Sequence, residues 1–128
     1  MAVEPAFDET IHAPVRLRMC GLLRHVEEMD FAVLRETLCV SDASVSKHLR
    51  ALAAEGYVAT TKRASAARLD ARRLTWVRLT RSGRTAFDAH VAELRRIAQG
   101  LVGEPVAHRP AVDPGDEPAE VLRPPRVT

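Results

Sequence analysis

Residues 30–62, DFAVLRETLCVSDASVSKHLRALAAEGYVATTK, switch between two hydrophobic periods, and that switch restricts the folds open to the chain. Phe31, Leu34 and Leu38 recur at helical spacing, and so do Val45, Leu49 and Leu52. Only a tight turn fits between the two runs, at Cys39 and Val40. On the second helix Val45, Leu49, Leu52 and Gly56 share one side, while Ala43, Lys47, Arg50 and Ala54 lie opposite. One face packs, and the other is free to meet a ligand. Asp30 is suited to cap the first helix and Ser41 the second, with Asp42 placed at the positive end of the helix dipole. Gly56 suits a left-handed C-terminal cap. Tyr57 to Lys62 then has the aromatic and β-branched content of a strand.

The flanking sequence completes the pattern. Residues 1–9 read as an N-terminal arm. A first helix follows, with Val15, Met19, Leu22 and Val26 on its buried stripe and Pro14 in its first turn, where a missing N–H costs nothing. Its other face carries Arg16, Arg24 and Glu27. Leu74 to Thr80 reads as a second strand, with Leu74, Trp76 and Arg78 on one side and Thr75, Val77 and Leu79 on the other. The two strands are expected to pair as a hairpin whose long tip, residues 63–73, is basic. Thr80 caps a last helix in which Phe87, Val91, Leu94 and Ala98 form an apolar stripe running toward Leu101. Residues 102–128 contain Pro105, Pro110, Pro114, Pro118, Pro124 and Pro125 and read as a disordered tail. The folded unit is thus expected over residues 10–101.

With 128 residues and 46% hydrophobic content, the chain has the makeup of one small globular domain. Its core is modest, so a dimer burying additional surface is expected. The formal net charge is only +2, yet Lys62, Arg63, Arg68, Arg72, Arg73, Arg78, Arg81 and Arg84 face a single acid, Asp70, between residues 60 and 84. A stripe of this kind is what a phosphate backbone rewards, and an ordinary solvated face is its alternative reading. No apolar run reaches the length of a membrane span, and the N-terminus lacks a leader pattern, so a cytoplasmic protein is expected. Cys20 and Cys39 both sit within apolar patterns and read as buried, unpaired thiols.

The order of these segments carries a resemblance. Val45-Ser46-Lys47-His48-Leu49, Leu52, Gly56-Tyr57-Val58 and Leu79-Thr80-Arg81-Ser82-Gly83-Arg84 resemble the MarR-like and ArsR-like winged helix-turn-helix transcriptional regulators. Within them, the chain is most similar to a small single-domain group in which a segment like Ile11-His12-Ala13-Pro14-Val15-Arg16 opens the first core helix. The resemblance spans about residues 8 to 99. It implies a mostly α fold with a small β-hairpin wing, and a homodimer on double-stranded DNA. One recognition helix per subunit would enter the major groove, with a wing on the backbone or minor groove.

Carried onto this chain, Ala43, Ser44, Ser46, Lys47 and Arg50 become the base-reading positions. Lys62, Arg63, Arg68, Arg72 and Arg73 become wing contacts, and Phe87, Val91, Leu94 and Ala98 the dimerisation stripe. The wing departs from the family in having no glycine at its tip and in its length. Arg50 and Lys47 are able to donate to guanine O6 and N7, and Ala43 to meet a thymine methyl. A repressor is the expected mode of action, and a winged helix serving only protein–protein interaction is the rival reading.

Other chemistries find little support. Thr37-Leu38-Cys39-Val40-Ser41-Asp42 is similar to the cysteine box of metal sensors, but Ser41 replaces the second cysteine and one thiol makes a poor metal site. No phosphate loop, nucleophile elbow or cleft-borne carboxylate pair is present, so neither an enzyme nor a cofactor is expected. His48 reads as a ring hydrogen-bonded at a helix contact, and His12 as a brace for the first helix. Trp76 reads as core or dimer packing rather than a base-stacking residue.

Overall fold

Four oxygen-bearing side chains set where the helices begin. In the computed structural model, which describes residues 3–64 and 73–103, Asp8 accepts the Ile11 N–H at 3.0 Å and Asp30 accepts the Ala32 N–H at 2.8 Å. Ser41 accepts the Ser44 N–H at 3.1 Å and Thr80 the Gly83 N–H at 3.0 Å. Each of these bonds satisfies an amide that a helix start would leave unpaired. The elements in order are α1 (Glu9–His12), α2 (Pro14–Arg24), β1 (Met29–Asp30), α3 (Phe31–Leu38), α4 (Asp42–Ala54), β2 (Val58–Ala64), β3 (Arg73–Leu79) and α5 (Arg81–Ala98).

The opening of the fold differs from the single first helix read from the sequence. Ala13 sits in an extended conformation between α1 and α2 because the proline that follows it disfavours a helical residue there. Pro14 itself starts α2, and the helix stops at Arg24, so Val26 falls beyond it. Strand β1 is a further addition. Met29 pairs with Val77 and Asp30 with Trp76, in a pairing too short to leave an alternating signature.

The sheet is antiparallel with order β1-β3-β2, and β2 pairs with β3 from Val58↔Leu79 to Ala64↔Arg73. This hairpin is the wing, in the mostly α winged helix-turn-helix architecture that the sequence led one to expect. Its tip and the tail after Gly103 lie outside the described residues, as do the readings made for them.

One core unites the elements. Ile11, Met19, Cys20, Leu23, Leu34, Val45, Leu49, Leu52, Val58, Val77 and Leu79 are buried together. Full burial of a side chain such as Leu52 contributes about 1.5–3 kcal/mol. The junction of wing and α5 depends on Gly83, where an added Cβ would lie 2.1 Å from the Tyr57 carbonyl oxygen. Only a residue without a side chain lets the start of α5 approach that carbonyl. The Thr80 N–H donates to the same oxygen at 2.9 Å, and the Thr80 hydroxyl to the Gly56 carbonyl at 2.7 Å. Gly56, at φ +79, takes the left-handed cap position expected of it.

Candidate nucleic-acid interface

Helix α4 is oriented from behind. Val45, Leu49 and Leu52 lock one face into the core, and Ala43, Lys47 and Arg50 are exposed on the other. Ser44 and Ser46 are half-buried at its edges. The turn before it is closed by Cys39, whose backbone is left-handed at φ 58 and whose N–H caps α3. Arg35 of α3 also reaches Asp42 at the start of α4, with Nε 2.8 Å from Oδ1. That pair ties the two helices across the turn, although at 76% exposure of Asp42 it adds little stability.

A second tie comes from α2. The Arg16 guanidinium donates to Nδ1 of His48 at 3.0 Å and, through Nε, to the Thr10 carbonyl at 2.6 Å. An arginine is a donor only, so His48 accepts in its neutral form. Burial, then the charges of Arg16 and Lys47, hold the His48 ring below the ordinary imidazole range. The helix-contact role read for His48 from the sequence is the one seen. The Ile-His-x-Pro-x-Arg segment thereby braces α4: Ile11 enters the core, Pro14 starts α2, and Arg16 meets the back of the helix.

The basic stripe divides into cations facing outward and cations used inside the fold. Lys62, Arg78 and Arg81 are exposed. Arg84 instead donates to the Arg24 and Val26 carbonyls at 3.2 and 3.3 Å, where α2 ends. Arg63 forks onto Glu28, with its Cζ 4.7 Å from the centre of the Trp76 ring. The fork holds the Glu28 carboxyl below the usual carboxylate range. Arg68 and Arg72 lie outside the described residues, and of Arg73 the backbone alone is described, paired with Ala64.

One of the two cysteines differs from its reading. Cys20 is buried as expected, but Cys39 is exposed, because as the left-handed cap of α3 it turns out of the helix; its Sγ lies 3.6 Å from the Glu36 carbonyl. On α5, the expected stripe is split: Phe87 packs partly on the core, Val91 and Leu94 are half-buried, and Ala98 is exposed. Ile97, Leu101 and Val102, further on, are exposed, as are Phe7 and Val33 elsewhere in the fold. Sequence reasoning also missed His90, fully buried among Asp8, His12 and Phe7. Nothing local to His90 marked it, since its partners come from the other end of the chain.

An exposed cationic helix face, backed by a braced three-helix core and followed by a β-hairpin, defines a winged helix-turn-helix DNA-binding fold. Residues 15–98 match the model of the winged helix DNA-binding domain family, and the chain belongs to that family. It is similar to an uncharacterized protein of Methanocaldococcus jannaschii, 29% identical over 87 residues that make up 68% of this chain and 90% of that protein. Among solved structures it resembles a transcriptional regulator homologue from Pyrococcus horikoshii OT3, with a TM-score of 0.65 at 23% identity over 73% of this chain and 89% of that one. It also resembles NadR in complex with 4-hydroxyphenylacetate, with a TM-score of 0.56 at 22% identity over 73% and 62% of the two chains. By family, the chain carries a winged helix DNA-binding domain. Among the described residues, no helix is long and apolar enough to cross a membrane.

Proposed function

We propose that the protein is a sequence-specific transcriptional regulator that binds double-stranded DNA as a dimer and represses. Helix α4 enters the major groove, and the β2–β3 wing lies on the backbone or minor groove. The observation that carries this reading is the exposed Ala43, Lys47 and Arg50 face on a helix whose other side is locked by Val45, Leu49 and Leu52. Lys47 and Arg50 read guanine edges, Ser44 and Ser46 serve bases or phosphates at the margin, and Ala43 meets a thymine methyl. The outward cations, together with Arg68, Arg72 and Arg73, supply sequence-independent affinity through counterion release.

The dimer is supported by the apolar side chains left exposed at the end of α5, Ile97 and then Leu101 and Val102. They extend the stripe of Val91 and Leu94. A two-fold pair of α4 helices would read half-sites about 34–36 Å apart.

The test replaces Lys47 and Arg50 together with alanine and measures competition between a selected operator and random duplex. Discrimination is expected to collapse while the helical circular dichroism stays unchanged. An unchanged preference would remove α4 from the bases and favour an interaction module that never reads DNA. Leu94→Glu is expected to shift the sedimenting species toward monomer; a dimer that persists would move the interface off this stripe.

A further inference from the structure

We propose that Arg63 is a positioning residue of the wing, fastening β2 across the sheet to Glu28 beside β1 through Trp76, and not a contact to DNA. The inference rests on the DNA-binding reading above and differs from the phosphate-contact role that the sequence pattern gives this residue.

The register makes the arrangement possible. Thr61 pairs with Trp76, so Arg63, two residues along β2, lies on the same face as the indole and diagonal to it. Trp76 stands on the central strand, with Asp30 of β1 as its partner on the other side. The Arg63 side chain therefore spans the sheet, over the ring of β3, and reaches Glu28 immediately before β1. Both terminal nitrogens of the guanidinium engage that carboxylate, with Nη1 donating to Oε1 at 3.3 Å and Nη2 to Oε2. Meanwhile the guanidinium carbon stays 4.7 Å from the indole centre, within reach of a cation–π contact.

This occupancy argues against a phosphate role. The fork is spent on a carboxylate, which neutralises the charge, and the indole takes part of the cation's remaining surface. An exposed pair of this kind adds little to stability. Its effect is directional: it fixes the angle at which β2 leaves the body of the domain. Trp76 gains a holder as well, since its buried Nε1 has no hydrogen-bond partner among the described residues.

The test uses the full chain with a labelled random-sequence duplex, followed by anisotropy, and compares wild type with Glu28→Gln, Arg63→Ala and Arg63→Lys. Emission from Trp76, the chain's single tryptophan, reports on docking in the free protein. Glu28→Gln is expected to weaken binding several-fold, although losing a negative charge should by itself favour a polyanion. Arg63→Lys is expected to bind no better than Arg63→Ala, because an ammonium reproduces neither the fork nor the planar stack. Trp76 emission is expected to shift in Arg63→Ala. Tighter binding by Glu28→Gln, or wild-type affinity in Arg63→Lys, overturns the proposal and returns Arg63 to the phosphates. Should wild type bind no duplex, the DNA reading fails separately, and an unchanged Trp76 spectrum in Arg63→Ala overturns the docking on its own.

Discussion

Nε2 of His90, on α5, lies 3.1 Å from Nδ1 of His12, on α1, and the hydrogen between them belongs to His90. Nδ1 of His90 already accepts the Asp8 backbone N–H at 3.0 Å, so the neutral ring carries its proton on Nε2. The ring is fully buried, and Phe7 meets it edge-on at 4.7 Å. Charging it would place a hydrogen on Nδ1 and displace the amide of the segment that leads into the fold.

His90 is therefore held below the ordinary imidazole value of 6.5, first by burial and then by His12, while the carboxylates of Asp8, Glu9 and Glu93 act in the opposite sense. The folded state then binds fewer protons than the unfolded chain, so stability is full above 6.5 and falls as pH drops below it. Thermal unfolding followed from about pH 7.5 to about pH 5.5 is expected to show this loss. His90→Asn, which keeps an acceptor for the Asp8 amide and removes the titrating ring, is expected to flatten the profile. An equally steep profile in that variant would assign the acid sensitivity to other groups.

The same segment is held from β2's side. The Tyr57 hydroxyl donates to Oδ2 of Asp8 at 2.6 Å while Oδ1 caps α1, so a single carboxylate joins the residue before β2 to the start of the fold. This hydrogen bond, then burial and the nearby negative charges, push the phenol up from 10.0 to about 12. The corresponding stability is present below pH 10.0 and lost as pH rises toward about 12. Tyr57 is the only tyrosine, so phenolate absorbance follows it directly. Asp8→Asn is expected to bring the midpoint back toward the ordinary value, and Tyr57→Phe to cost about 1–2 kcal/mol in denaturant unfolding. A native midpoint already at the ordinary value would break the link.

The two cysteines are expected to separate cleanly in a thiol-reagent titration. Cys20 is buried between α2's neighbours and its thiol is pushed up to about 12, by burial first, with Asp8 adding and Arg16 opposing. Cys39 is exposed at the turn before α4. The folded protein should therefore release the colour of one thiol quickly, through Cys39, and of the second only after denaturant is added. Persistence of the fast phase in Cys39→Ser would contradict the assignment.

What the sequence disclosed and what it concealed divide along distance in the chain. The caps at Asp30, Ser41 and Thr80 were legible because each is a side chain serving an amide two or three residues away. The α4 faces were legible because periodicity alone orients a helix. Asp8 with His90, or Glu28 with Arg63, joins residues that only the finished fold brings together, and no local pattern encodes such a meeting. Hence Arg63 and Arg84 looked like free cations in a basic run, although one is forked on a carboxylate and the other caps α2. Cys39 was misplaced for a related reason: its apolar neighbours imply burial, but the left-handed cap rotates it outward.

The glycines give a prediction of opposite signs. A methyl at Gly83 would meet the Tyr57 carbonyl oxygen at 2.1 Å, its carbon at 2.9 Å and Leu79 Cδ1 at 3.0 Å. Since two of those atoms are backbone, relief requires moving the start of α5 away from β2, which strains the Thr80 hydrogen bond to the same carbonyl. Gly83→Ala is expected to cost at least about 2 kcal/mol despite alanine's better helix propensity. Gly21, inside α2, would place its methyl 3.8 Å from Phe87 Cζ, an ordinary contact. Gly21→Ala is therefore expected to stabilise by about 0.5–1 kcal/mol, the gain of replacing glycine within a helix. Denaturant midpoints for the two variants should move in opposite directions from wild type. A shared direction would mean that helix propensity, rather than the close approach at Tyr57, governs position 83.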